Sequence, residues 1–321
     1  MAMRVTFLGT SGAVPTTERN PSGLLVEREG ERLLFDCGEG TQRQMMRYGT
    51  GFGVEHVFLT HLHGDHVLGL PGAVQTWDFN DREAPLAVHA PAGTRERIER
   101  LVAVTGERPS YPVRIHQVDP GDVALARDDY EVRAVDVEHR TNAVGYALVE
   151  DDRKGRFDRE KAEEELGIPP GPKYSKLHEG EAVEHDGRLI QPEEVVGSPR
   201  PGRTLVYTGD TRPCESVVAT AENADLLVHD SMFGDDHGDR ARETAHSTAR
   251  EAAIVANEAG AKRLALTHIS SRYAGNAWRD LQAEARMIFD GERAFVPADG
   301  TVAEVPYPDA DEELTLSSAG R

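Results

Sequence analysis

One short segment of the chain concentrates side chains that can bind metal ions. It reads "HLHGDH" and supplies His61, His63, Asp65 and His66. Imidazole and carboxylate groups are ligands of zinc and similar ions, and several must converge at about 2.0–2.2 Å. Gly64 permits a tight turn that presents alternate residues to two neighbouring ions. A solvated surface loop is the alternative interpretation, but four such groups rarely meet by chance.

Further residues of the same kind follow predicted strands elsewhere in the chain. His139, Asp210 and His268 each end an apolar run that reads as a strand. Because αβ proteins build their sites at the carboxyl ends of strands, we expect these residues to meet the histidine cluster at one sheet edge. A carboxylate can bridge two cations, and Asp210 is the candidate bridge. The runs that carry these three residues are 130–139, 202–210 and 261–270, and a fourth run, 54–60, ends just before the histidine cluster.

Helices are predicted between these strands. The segment 246–260 has apolar residues at helical spacing, a capping-box pattern at Thr248 and Glu251, and Gly260 as a stop. A second amphipathic helix is predicted over 93–106. The alternation of strands and helices therefore indicates an α/β fold.

The predicted domain organisation is one domain over 1–321 with one insertion. The insertion, 150–202, is rich in charge, contains "GIPPGPKYSKL", and has few apolar anchors. The tail over 306–321 is expected to be disordered. There is no apolar run of about 18 residues, and the start lacks the pattern of a signal peptide, so we expect a soluble, cytoplasmic protein with no membrane partner.

The charge of the chain bears on its surroundings. The net charge is -20, which normally argues against a polyanionic partner. Lysine is nearly absent, so almost all positive charge is arginine. Many carboxylates with few lysines indicate adaptation to concentrated salt, where the Debye length is only about 3 Å at 1 M. An ordinary acidic protein is the alternative. The lysines are Lys154, Lys161, Lys173, Lys176 and Lys262.

The segment "THLHGDH", followed by a later histidine, a "GD" aspartate and a "TH" histidine, resembles the metallo-β-lactamase superfamily. The resemblance implies a four-layer αββα sandwich and two zinc ions. It assigns one ion to His61, His63, His139 and Asp210. It assigns the other to Asp65, His66, Asp210 and His268.

Other segments narrow the resemblance, because the superfamily hosts many reactions. They are similar to ribonuclease Z, the endonuclease family that removes the 3′ trailer from precursor tRNA and leaves a 3′ hydroxyl on the tRNA. This resemblance implies precursor tRNA as partner, and we also expect a homodimer. The segments are "FLGTSGAVPTTERN" (7–20), "FDCGEGTQRQM" (35–45), "VYTGDTRPCES" (206–216), "AHSTAREAA" (245–253) and "THISSRY" (267–273).

The resemblance also suggests roles around the ions. Asp65 would align or deprotonate the attacking water, and His246 is the candidate general acid. Asp230 is the candidate orienter of His246, although the family usually has glutamate in a related "HEAT" segment. Arg272 could bind a phosphate in a bidentate fork.

The insertion resembles the flexible arm with which ribonuclease Z grips tRNA. Four of the five lysines lie in it, and Lys173 and Lys176 follow its Gly-Pro tip, where they could contact phosphates. A surface loop that merely tolerates lysine is the alternative, and the arm also holds many carboxylates.

Two rival functions remain open from the sequence. One is a small-molecule hydrolase or phosphodiesterase of the same superfamily, which would not need the arm. The other is a catalytically silent RNA-binding protein, which would not need a complete ligand set.

Overall fold

A computed structural model describes residues 3–319, and the chain divides into two units. We call them the body and the arm. The body comprises the residues up to Val149, Arg203–Pro306 and the residues from Glu312 onward. The arm comprises Glu150–Gly202 and Tyr307–Asp311. The first arm segment coincides with the predicted insertion, whereas sequence reasoning did not foresee the second.

The strands occupy the following residues: β1 (Met3–Gly9), β2 (Ser11–Gly12), β3 (Gly23–Arg28), β4 (Glu31–Phe35), β5 (His56–Phe58), β6 (Leu86–Pro91), β7 (Val113–Val118), β8 (Val123–Ala126), β9 (Tyr130–Asp136), β10 (Val144–Glu150), β11 (Val183–His185), β12 (Arg188–Ile190), β13 (Thr204–Tyr207), β14 (Leu226–Asp230), β15 (Leu264–Thr267), β16 (Ile269–Ser270), β17 (Ala294–Phe295), β18 (Thr301–Val305) and β19 (Thr315–Ser318).

The helices are α1 (Thr41–Arg47), α2 (Gly64–Val67), α3 (Leu70–Phe79), α4 (Arg95–Val102), α5 (Pro172–His178), α6 (Glu215–Thr220), α7 (Gly238–Thr244), α8 (Ala249–Glu258) and α9 (Trp278–Arg286). Shorter helical turns are Lys161–Glu165, Pro192–Glu194, Asp235–His237, Ser271–Tyr273 and Gly291–Arg293.

The body is a four-layer sandwich, as the sequence predicted. One sheet has the order β19-β18-β1-β3-β4-β5-β6-β7, and the other has β17-β15-β14-β13-β10-β9-β8. Successive side chains of a strand point to opposite faces. Leu24 and Val26 of β3 therefore pack in the core between the sheets, whereas Leu25 packs with residues of α1, α3 and α4. On the far side, α6, α8 and α9 cover the second sheet.

Helix α8 confirms the sequence reading of its start and end. The Thr248 hydroxyl accepts from the Glu251 N–H at 3.1 Å, and the Glu251 carboxylate accepts from the Thr248 N–H at 2.9 Å. Gly260 follows the helix with a φ of +66°, a conformation that side chains disfavour.

The tail prediction was wrong for the described part of the tail. Residues Thr315–Ser318 form β19, which pairs antiparallel with β18 at the edge of the first sheet. The open edge of β18 offers backbone donors and acceptors, and pairing satisfies them without requiring an apolar side-chain pattern. Leu314 is buried, and the Ala319 N–H donates to the Gly300 carbonyl at 2.7 Å. The end of the predicted tail, 320–321, lies outside the described residues.

The arm has a small core and a polar closure of its own. The core consists of Ala162, Ile168, Leu177, Val183, Ile190 and Val195. Two chain segments pair through Arg153 and Arg200, whose backbone groups exchange hydrogen bonds of 2.7 and 2.8 Å. Asp309 accepts from Arg153 and lies 3.5 Å from Arg200 Nη1, so its carboxylate ties these two segments together.

Within residues 3–319, no helix combines the length and apolar character needed to cross a membrane.

Candidate metal centre

The first group of candidate ligands converges at the ends of β5, β9 and β13. The donor atoms of His61, His63, His139 and Asp210 all lie within 4.8 Å of one another. The Nε2 atom of His61 lies 2.8 Å from His63 Nδ1 and 3.4 Å from Asp210 Oδ2. The Nε2 atom of His139 lies 3.4 Å from His63 Nδ1. This spacing suits ligands around one cation.

The second group lies on the other side of Asp210. Asp65, His66 and His268 also place their donor atoms within 4.8 Å of one another. Asp210 Oδ1 lies 3.2 Å from both His66 Nε2 and His268 Nδ1. Because Oδ2 faces His61 and Oδ1 faces His66, Asp210 presents one oxygen to each group. The predicted ligands thus meet, and Asp210 stands where a bridging carboxylate would.

Two unpaired atoms test whether metal fits this site. Among the described residues, His66 Nε2 and Asp210 Oδ1 are buried without a hydrogen-bond partner. A buried polar atom without a partner destabilises the folded protein, and a cation bound between His66 Nε2 and Asp210 Oδ1 would give both atoms a partner. Burial alone would raise the pKa of Asp210, but the neighbouring imidazoles, His268 foremost, hold it well below its usual range. The carboxylate is therefore ionised, as a ligand must be.

The outer nitrogen of each first-group imidazole other than His63 is held by the body. His61 Nδ1 lies 3.0 Å from the Thr60 hydroxyl, and His139 Nδ1 lies 2.9 Å from the Ala245 carbonyl. Each contact fixes the ring so that Nε2 faces the centre. Partners of this kind orient metal ligands and raise their basicity.

Asp36 orients an imidazole of the second group in the same way, and the sequence analysis did not predict this role. Its Oδ2 atom lies 2.7 Å from His66 Nδ1 and accepts from the Tyr207 hydroxyl at 2.8 Å. Its Oδ1 atom accepts from the Thr60 N–H at 2.8 Å. The residue lies in the family-like segment 35–45, but only the contact between the end of β4 and α2 reveals its role.

The backbone around the centre is strained. Among residues 3–319, eight non-glycine residues have a positive φ, and four of them surround the candidate ligands. Asp36 holds His66, Ala245 holds His139, Ala13 donates its N–H to Asp65 Oδ2 at 2.8 Å, and His268 is itself a ligand. Left-handed backbone at such residues costs about 1–2 kcal/mol each and persists only where the surroundings impose it.

His246 and Asp230 form a pair beside the centre. His246 Nδ1 lies 2.8 Å from Asp230 Oδ2, so the shorter aspartate side chain does reach the histidine. Asp230 is fixed in turn by the N–H groups of Thr211 at 3.1 Å and Met232 at 3.0 Å. Burial lowers the pKa of His246, but Asp230 outweighs it and raises the pKa to about 9. His246 therefore carries a proton at neutral pH.

The remaining predicted residues are not gathered at the centre. Arg272 is exposed, and among the described residues its guanidinium has no hydrogen-bond or ion-pair partner. In the arm, Lys173 Nζ donates to the Glu184 carbonyl at 2.6 Å and lies 3.1 Å from His185 Nδ1. Lys176 is exposed, and its ammonium has no partner among the described residues. Lys176 is thus the freer of the two arm lysines.

The sandwich and the ligand cluster at its strand ends define a metal-dependent hydrolase of the metallo-β-lactamase type. The sequence model of the metallo-β-lactamase superfamily matches residues 16–268. The ribonuclease Z of Haloarcula marismortui is 66% identical over 312 residues, which cover 97% of this chain and 100% of that protein. The ribonuclease Z of Haloferax volcanii is 64% identical over 312 residues, covering 97% of this chain and 98% of that protein.

A crystal structure of the short form of human tRNase Z is also similar. It has a TM-score of 0.69 and 27% sequence identity, and the match covers 95% of this chain and 100% of that chain. The chain belongs to the ribonuclease Z family. The two archaeal relatives named above come from halophiles, in agreement with the interpretation of the chain's charge.

Proposed function

We propose that this protein is the endoribonuclease that removes the 3′ trailer from precursor tRNA in the cytoplasm. The observation that carries the proposal is the meeting of both ligand groups at Asp210 with the His246–Asp230 pair beside them. Incubation with a 3′-extended precursor tRNA, followed by mapping of both product ends, tests it. The tRNA should end in a 3′ hydroxyl and the trailer should begin with a 5′ phosphate.

We assign two zinc ions to the two ligand groups. The first group would hold one ion through three imidazoles and Asp210, and the second group would hold the other through Asp65, His66, His268 and Asp210. When bound, these ions would supply Lewis acidity toward the phosphate and a nucleophile at neutral pH. Elemental analysis of protein purified without chelators should give about two zinc-class ions per chain. An active protein with no metal would contradict the assignment.

Asp65 and His246 handle the protons of the reaction. Water attacks the phosphorus in line with the departing 3′ oxygen. The Ala13 N–H fixes the Asp65 carboxylate at 2.8 Å, so Asp65 can align the water and accept its proton. His246 is protonated and held at Nδ1 by Asp230, which leaves Nε2 to donate a proton to the leaving oxygen.

We propose that Arg272 and the arm bind the RNA. Arg272 follows the ligand His268 closely in the chain, and its free guanidinium can take a phosphate through two N–H groups. Lys176 offers its whole ammonium, whereas Lys173 has two of its three donors engaged within the arm. Such contacts position the RNA without reading its sequence. The rival small-molecule phosphodiesterase would hydrolyse bis(p-nitrophenyl) phosphate but leave precursor tRNA uncut.

We further propose that the protein is a homodimer through a face of α1 and α3. Phe79 at the end of α3 is 89% exposed and stands beside a groove of about 470 Å³. Gln42 of α1 and Pro71, Gly72 and Thr76 of α3 line that groove. An exposed Phe79 ring next to this groove suits a two-fold interface, in which each copy inserts its Phe79 into the groove of the other copy.

Sedimentation equilibrium in molar salt tests this interface. The Phe79→Glu variant should be monomeric and folded. Met287→Glu is the matched control, because Met287 is 71% exposed but lies just after α9 on the other side of the body's sandwich. A Phe79→Glu protein with the mass of the unaltered dimer would rule this face out.

A further inference from the structure

The loop between β1 and β3 touches both sides of the second ligand group. Its Ala13 N–H donates to Asp65 Oδ2 at 2.8 Å. Its strand β2 pairs with β16, which directly follows the ligand His268. A Cβ atom added at Gly12 would lie 2.6 Å from His268 Cδ2, so only glycine fits against that ring. The position of this loop therefore sets the position of Asp65 and confines His268.

Asp299 ties the two ends of this loop together. At one end, the Thr10 hydroxyl donates to Asp299 Oδ1 at 2.8 Å. At the other end, the Asn20 N–H donates to Asp299 Oδ2 at 2.6 Å, and Gln44 Nε2 donates to the same oxygen at 2.8 Å. Arg19 completes the closure, because its Nη1 donates to the Thr10 hydroxyl at 2.6 Å.

We propose that Asp299 is a positioning residue for Asp65, acting through the loop that it closes. Asp299 is absent from both ligand groups and reaches them only through Thr10, Asn20 and the Ala13 N–H. The inference rests on the proposed role of Asp65 as a ligand that aligns the attacking water.

The hydrogen bonds explain why this position needs a carboxylate. Asp299 accepts donors at both oxygens, and an asparagine would replace one oxygen with a donor. An amide nitrogen facing the Asn20 N–H would place two hydrogen-bond donors opposite each other, so no hydrogen bond could form there. An amide nitrogen facing Thr10 would be a donor where the Thr10 O–H now finds its acceptor, so that O–H would lose its present partner. Either orientation loosens one end of the loop.

The variant Asp299→Asn tests the proposal, with Asp225→Asn as its matched control. Asp225 also accepts a backbone N–H, from Thr204 at 2.8 Å, and a side-chain donor, Lys262 Nζ at 2.7 Å. It precedes β14, at the opposite end of that strand from Asp230, so it has no route to the ligands. Asp299 accepts three such bonds, and Asp225 accepts two, one of them from a charged ammonium, so the melting temperature of each variant should fall.

Only Asp299→Asn should affect the centre. On precursor tRNA its kcat should fall with KM nearly unchanged, by up to the roughly 10- to 100-fold that loss of an outer partner costs, because a loosened loop weakens the Ala13 contact with Asp65. The chelator concentration that strips half of the bound zinc should fall as well, measured on protein whose circular dichroism shows it folded. Thr10→Val, which removes the hydroxyl at one end of the loop, should shift both quantities in the same direction.

Two results would overturn the inference separately from the proposed function. If Asp299→Asn matches Asp225→Asn in kcat and zinc retention while Asp65→Ala loses both, Asp299 is merely structural. If Asp65→Ala itself retains zinc and activity, the proposed role of Asp65 fails first.

Discussion

The metal centre and the arm are built on opposite plans. At the centre, four of the seven candidate ligands are buried, most of their outer atoms are tied to neighbouring groups, and the backbone is left-handed at four residues. The arm has a core of six buried apolar side chains, and over 150–202 it carries fourteen acidic and nine basic residues, many of them exposed. The centre therefore gives up stability for a fixed geometry of its ligands, whereas the arm combines a small apolar core with many exposed charges.

Under the proposed function, this contrast would separate chemistry from RNA binding. Changes at the centre should affect every phosphodiester substrate, because all of them meet the same ligands. Changes in the arm should affect precursor tRNA alone, because a small phosphodiester has no need of it. Paired measurements on the two substrates therefore probe the contrast directly.

The largest effect is expected from Asp210→Ala, because this carboxylate serves both ligand groups. Cleavage of precursor tRNA and of bis(p-nitrophenyl) phosphate should both vanish, and the bound zinc should fall. Metal analysis and both rate assays on the same preparation check this. If the Asp210→Ala protein still bound zinc and cleaved either substrate, Asp210 would not be a bridging ligand.

A smaller loss is expected from His246→Ala. The rate on precursor tRNA should fall about 10²–10⁴-fold, the usual range for a general acid, while zinc content stays unchanged. A substrate with a leaving group that needs no proton, such as bis(p-nitrophenyl) phosphate, should lose less. Loss of zinc in this variant would make His246 a ligand rather than an acid.

The arm lysines should separate the substrates. Lys176→Ala should weaken precursor tRNA binding and reduce the slope of log affinity against log salt by roughly one, because one phosphate contact is lost. Lys173→Ala should cost less, since part of that ammonium already serves the arm. Lys154→Ala, outside the Gly-Pro tip, is the control. Equal losses for all three would return these lysines to the interpretation of a loop that tolerates lysine.

The smallest effect concerns strain. Ala245 has a φ of +57°, so Ala245→Gly should remove about 1–2 kcal/mol of backbone strain from the folded state. Glycine also makes the unfolded chain more flexible, which lowers the unfolding free energy by about 0.4–1 kcal/mol. The net should be a gain of about 0.5 kcal/mol in unfolding free energy. The same substitution at exposed Ala283 inside α9 should instead destabilise by about 1 kcal/mol. Denaturant titrations that give both changes the same sign would contradict strain at Ala245.

Sequence reasoning found the side chains that have a chemical signature of their own. Histidine and aspartate at strand ends are rare enough to mark the ligands, and the sheet edge that gathers them follows from the strand rule. Ala13 has no such signature, because it contributes only a backbone N–H, which nearly every residue possesses. The contacts of Asp36 and Asp299 depend on residues far away in the chain, which no local pattern encodes. Strand β19 was missed for a related reason, since its pairing uses backbone groups.

Residues 301–311 complete contacts in the body and in the arm, and they are synthesised after most of both units. Strand β18 pairs with β1, and Asp309 then closes the arm around arginines that lie between 109 residues (Arg200) and 156 residues (Arg153) earlier in the chain. Until the ribosome has delivered these residues, β1 lacks one neighbour and Arg153 and Arg200 lack their shared acid. Chains that stop short of residue 309 should therefore be recognisable to proteases as unfinished, even though every candidate metal ligand has already been made.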